Sequence, residues 1–239
     1  MTGAVNHGYG VYCYIDLLTW PHDANLMINV LVDVLLKREA LAPVLYLQLD
    51  NTARENKNQY VMAFLAYLVQ AGIFSEVSIS KINIIKGMNN NNILLYFQIY
   101  LSFLMVGHTH EDIDQVFSRV SSYLKKNSAY TVGGKWLLTN CLINYCVTYM
   151  WHCLDLEQAV YNSNQEIVGV KQLRRVFDYK SWLLPYIETP HNHTAPHNFL
   201  FRMGSEQKVV MFYRNWSSDD WLPAPPTDGL TILKVINYL

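Results

Sequence analysis

The chain has 239 residues, 51% of them hydrophobic and 15% charged, with a formal net charge of −1. That composition fills a sizeable core and argues against a disordered chain. Near-neutral charge gives no global basic field, so any nucleic acid must meet a local patch.

In chain order, Gly8-Tyr9-Gly10 leads into a predicted strand over 11–15, the only strand expected ahead of the first helix. Asp23 is placed to cap a helix over 24–38, with Leu26, Val30, Leu31 and Val34 on one face. The apolar run 44–49, bounded by Pro43 and by Asp50-Asn51, reads as a buried strand ending in an acid. A helix over 56–70 follows, with Val61, Phe64, Leu65 and Leu68 at helical spacing and Gly72 as its stop. Residues 78–100 break the order. Their apolar positions fit a hairpin with the asparagine run at its tip. They fit equally an insertion, a retained intron for example, extruded from the core, because low-complexity asparagine tracts rarely pack. A short strand over 103–106, a helix over 111–126 and a helix over 136–160 complete an alternating α/β order.

The last third reads as a separate unit. A loop at 189–197 carries His191, His193 and His197, which could bind metal but lack acids or cysteines at ligand spacing. Strands are expected over 199–201, 209–213 and 230–233, with Gly204-Ser205 as a turn. The predicted division is therefore 1–160 for an α/β domain and 161–239 for a helical linker and a small β-rich C-terminal extension. Cys13, Cys141, Cys146 and Cys153 form no CxxC pair and read as reduced thiols of an intracellular protein. No signal peptide is visible. Asn140, Asn144 and Thr148 interrupt the apolar stretch 136–151, which speaks against a membrane span. Tyr9, Tyr12, Tyr14, Trp20 and Tyr46 read as sheet packing rather than base-stacking groups.

The chemistry concentrates in two places. Asp50 ends one strand, and Gly107-His108-Thr109-His110-Glu111-Asp112-Ile113-Asp114 opens the helix after the next. Acids at neighbouring strand ends converge at the edge where open α/β sheets bind ligands, and converging carboxylates suit a hard divalent cation. A plainer reading is helix capping: Thr109 and Asp112 fit a capping box, and Glu111 and Asp112 favour the positive end of the helix. Gly-His-Thr-His also occurs in metallophosphatases of the calcineurin type, but their upstream Asp-x-His and Gly-Asn-His motifs are missing. Beside Asp50, the cluster Asn51, Arg54, Asn56, Lys57 and Asn58 could contact phosphates or could simply start a helix on a solvated face.

Asp50-Asn51 with Arg54-Glu55-Asn56-Lys57-Asn58, and the run from Phe103 through Asp114, resemble a transposon-derived domain of unknown function, number 7869. Residues 41–74 and 103–124 carry its pattern, Lys208-Val209-Val210-Met211 and Trp216 resemble its ending, and 78–100 stands outside. That family is similar to DDE-type transposases with a ribonuclease H-like fold. The resemblance implies a mixed sheet flanked by helices. Asp50 would be the second catalytic acid and Asp114 the third, with Glu111 as the rival. His108 and His110 would join or orient the metal ligands. Magnesium or manganese would drive in-line attack on a DNA phosphodiester. The family's upstream Asp-Gly pair is missing; Asp16 is the nearest candidate, at the wrong strand. The chain therefore reads as N-terminally truncated and its site as incomplete. The expected function is a domesticated or decaying, integrase-like transposase domain, inactive here but a magnesium-dependent nuclease if active. The alternative is a non-catalytic nucleic-acid- or protein-binding module, and a metallophosphatase comes third. DNA is the expected partner and the nucleus the expected location, with no membrane.

Overall fold

The computed structural model describes residues 1–16, 19–38, 42, 44–72, 98–104, 112–126, 148–188, 194–204, 208–224 and 229–234, with 148–155 described by backbone alone. In chain order its elements are β1 (Thr2–Asn6), β2 (Gly10–Ile15), α1 (Ala24–Leu36), β3 (Val44–Leu49), α2 (Gln59–Gln70), β4 (Gln98–Phe103), α3 (Asp112–Lys126), α4 (Thr148–Ser163), β5 (Ile167–Gln172), α5 (Tyr179–Leu183) with a 3-10 turn at Leu184–Tyr186, β6 (Asn198–Met203), β7 (Val209–Arg214) and β8 (Leu230–Thr231). It is a mixed α/β protein with two mixed sheets. The chain divides into two compact units, Met1–Pro21 with His108–Val176 and His22–Gly107 with Phe177–Leu239.

The first unit is built on a hairpin. β1 and β2 pair antiparallel from Thr2↔Tyr14 to Asn6↔Gly10. Gly8 and Gly10 take the positive φ angles, 81° and 122°, that the tight connection requires. β5 joins the other edge of β2 in parallel, and Trp20 Nε1 donates to the Leu173 carbonyl at 2.9 Å just beyond it. The core holds Val11, Cys13, Ile15, Val116, Val120, Val160 and Ile167. α3 presses close on β1: a Cβ at Gly3 would stand 2.5 Å from Ile113 Cδ1 and 2.7 Å from Phe117 Cζ. Burial pushes the Cys13 thiol up to about 11, since a thiolate there would lose its hydration.

The second unit is a five-stranded sheet in the order β3-β4-β6-β7-β8, with β3 and β4 parallel and the remaining pairs antiparallel. Period-two alternation sends Leu45, Leu47, Leu49, Ile99, Leu101, Phe103, Phe199 and Phe201 to one face, where they share a core with α1, α2 and Leu183 of α5. Both long helices start where the sequence offers a cap. The Asp23 carboxylate accepts from Asn25 N–H at 2.9 Å, and the Asn58 side-chain oxygen accepts from the N–H groups of Tyr60 and Val61, each at 3.1 Å. Gly72, at φ 61°, follows the end of α2. The start of α5 is tied to α1. Asp178 accepts from Ser181 Oγ, Ser181 N–H and Asn25 Nδ2, and these bonds hold its carboxyl below the ordinary range.

Several elements differ from the sequence expectation. A second strand, β1, precedes α1; its Thr-Gly-Ala-Val-Asn sequence has little strand propensity and draws its order from pairing with β2. α2 begins at Gln59 rather than at 56, because Asn58 caps it. β4 begins at Gln98, so Gln98, Ile99 and Tyr100 are sheet residues and not part of an insertion, with Ile99 fully buried. Residues 78–97 lie outside the described residues, as do 105–111. The tail does not stand apart: β6 pairs with β4, and β7 and β8 extend the same sheet, so the units do not divide at 160. No described helix is long and apolar enough to cross a membrane.

Candidate functional site

The site begins where β3 ends. β3 and β4 run parallel, so their C-terminal ends share one edge, closed by a hydrogen bond from Leu104 N–H to the Leu49 carbonyl (3.0 Å). Asp50 follows at that edge and is exposed. Its Oδ1 accepts from the Thr52 N–H at 3.0 Å and from the Asn56 side-chain amide. This is an Asx turn closed by a second amide, and it folds the chain back toward α2. The N–H groups of Asn56 and Lys57 donate to the Thr52 carbonyl at 2.8 and 3.0 Å, and Asn58 Nδ2 donates to the carbonyls of Ala53 and Arg54 at 3.3 Å each. The segment 50–58 is thereby knitted from its own polar groups.

This bonding sorts the polar cluster expected to meet phosphates. Asn56 is buried and spent on Asp50. Lys57 is only 5% exposed; its Nζ stands 5.3 Å from the centroid of the Phe103 ring, and desolvation lowers its pKa. Asn58 caps α2. Arg54 remains exposed, with Asn51 half-buried. At the same edge the Phe103 N–H donates to the His197 carbonyl (2.7 Å), and the His197 ring stacks on Trp216 at 5.9 Å.

Asp114 lies in the first turn of α3, exposed, in the first unit, whereas Asp50 lies in the second. The predicted core face of α3 is present, with Val116 and Val120 buried and Ile113, Phe117 and Leu124 packed beside them. His108, His110 and Glu111 lie outside the described residues, as do His191 and His193. Asp16, at the end of β2, is 3% exposed. Among the described residues no group of three or more His, Cys, Asp or Glu could hold a metal ion.

The family model for a domain of unknown function, DUF7869, matches residues 1–87 and 92–219. The chain belongs to the DUF7869 family. No curated protein and no solved structure matches it. The DUF7869 match spans both units, and it includes most of 78–100, leaving out only 88–91. With Gln98 to Tyr100 seated in β4, this removes the ground for setting the whole segment apart from the domain.

Sequence reasoning also passed over the sheet face opposite the core. Tyr46 packs there on the Tyr100 ring, as read from the sequence, yet is 76% exposed. The signal was present in Val-Leu-Tyr-Leu-Gln-Leu, whose alternation places Tyr46 and Gln48 opposite Leu45, Leu47 and Leu49.

Proposed function

We propose that this chain is a nucleic-acid-binding module of transposase descent, ribonuclease H-like in origin, that holds DNA without cutting it. The observation that carries this reading is the use made of Asp50. In a two-metal nuclease the carboxylates must present their oxygens to the ions. Asp50 Oδ1 takes two N–H donors and organises the turn into α2, so this carboxylate has a structural task in the fold. The parallel β3–β4 pair with an acid at its C-terminal edge supports the proposed ancestry. Exposed Arg54, presented by a turn braced from within, supports contact with phosphate. A nuclear location follows from DNA as ligand.

The test uses the full chain. It should retard labelled DNA in a mobility-shift assay and leave supercoiled plasmid intact in magnesium or manganese. Plasmid nicking that vanishes in Asp50→Ala would overturn the non-catalytic reading. Failure to retain any DNA would overturn the binding reading.

A further inference from the structure

The face of the five-stranded sheet opposite the helices carries a row of aromatic and apolar groups across four strands. In register these are Tyr46, Tyr100, Leu200 and Phe212. The Tyr46 and Tyr100 rings lie parallel, 5.1 Å apart and 11° from coplanar. Leu200 and Phe212 are covered, with Tyr100 and Trp221 packed against them, but Tyr46 is 76% exposed. Two cations flank the row. The Arg202 guanidinium stands 4.7 Å from the Phe212 ring centroid and that of Arg214 stands 4.3 Å from Trp221. The strands β3, β4, β6 and β7 contain these two arginines and no acid. The nearest acids in sequence are Asp50, directly after β3, and Glu206, between β6 and β7; Asp219 and Asp220 follow β7, and the Asp219 carboxylate accepts from Trp216 N–H at 2.9 Å.

A ring so exposed leaves apolar surface in water, which a flat π-system would cover. Open sheets with surface aromatics hold two or three bases in this way. A duplex presents base edges, whereas stacking needs base faces, so the chemistry selects an unpaired strand. Arginines beside the platform, with no acid in the strands, complement a phosphate backbone. We infer that this face binds single-stranded DNA, with an unpaired base stacking on the exposed ring of Tyr46, which Tyr100 backs, and the phosphates meeting Arg202 and Arg214. The inference rests on the DNA-binding reading above and names the form of DNA and the surface.

The experiment is fluorescence anisotropy of a labelled 12-nucleotide DNA with the full chain, across a salt series. Tyr46→Ala should weaken binding roughly five- to hundred-fold, the usual loss for one stacked base. Tyr46→Phe, which keeps the ring, should bind like the parent. Arg202→Gln should flatten the slope of log affinity against log salt by about 0.7, and Tyr46→Ala should leave it unchanged. Circular dichroism establishes that each variant is folded. If Tyr46→Ala binds single strands as well as the parent, this face is not the site, while retention of DNA by both would leave the module reading standing. Tighter binding of the matching duplex or RNA would also overturn the inference, as would a dimer of the chain abolished by Tyr46→Ala. If no oligonucleotide of any kind is retained, both readings fall.

Discussion

Replacing Ile99 with alanine tests whether β4 is a true core strand. Ile99 has no exposed surface, and its register partners on either side are Leu45 of β3 and Phe201 of β6. The change removes three carbons. At about 0.8 kcal/mol each the transfer contribution is roughly 2.4 kcal/mol, and the cavity left in a close-packed core brings the expected loss to about 2–5 kcal/mol. The two units need not unfold together, so one bulk transition is not a safe readout. Urea unfolding should therefore be followed by hydrogen exchange of the β4 and β6 amides, where the loss should be concentrated. Exposed Gln48→Ala in the neighbouring strand should move stability by no more than about 0.5 kcal/mol. A loss below about 1 kcal/mol for Ile99→Ala would refute the placement of residues 98–100 in the core. On the same argument, deleting 78–100 as a block takes half of β4 with it and should unfold the second unit, contrary to an insertion lying wholly outside the core.

Asp50→Ala should lower stability by about 1–3 kcal/mol in denaturant titrations, because the N–H of Thr52 and the buried amide of Asn56 lose a charged acceptor; an unchanged midpoint would show that the turn does not need it. Above pH 9 the Cys13 thiol ionises in the unfolded chain before it does in the folded one, so stability should fall as pH climbs from 9.0 toward about 11. Cys13→Ala should remove that fall, and a persisting fall would assign it to another group. Lys57 works in the opposite sense. Its lowered folded-state pKa means that the folded chain gives up the proton first, so its contribution to stability rises with pH between that value and the ordinary 10.5. Lys57→Met should abolish the rise and be neutral or stabilising at pH 7, and a marked loss at pH 7 would mean that the ammonium over Phe103 is a net stabiliser.

Where a segment's structure depends on its own residues, the sequence was a good guide. Val44 to Leu49 alternates and is bounded by breakers, and it forms β3 over those six residues. Asp23 and Gly72 mark helix ends by chemistry that acts within a few residues. What depended on distant partners was not legible. β1 has no pattern of its own, and the pairing of β6 with β4 joins segments a hundred residues apart, so the tail looked independent. The polar run 51–58 looked like a solvated face, because nothing in a sequence separates an asparagine that meets water from one buried against a carboxylate. Asp50 was correctly placed at a strand end; its occupation by local donors was not foreseeable.

The parallel contact between β2 and β5 sets a timing problem for synthesis. Val11 pairs with Ile167, so the first unit cannot close its sheet until some 156 further residues have been made, after the α1, β3, α2 and β4 stretch of the other unit has gone by. At ordinary elongation rates of roughly 5–20 residues per second, the β1–β2 hairpin waits about 8–30 s with an open edge on β2. An isolated two-stranded hairpin is marginal in water, and an unpaired edge is a template for another chain. The short half-buried β1, with glycine where α3 will later press, makes that waiting hairpin a weak one. Its vulnerability on the ribosome, rather than that of the finished fold, is where aggregation of the nascent chain should begin.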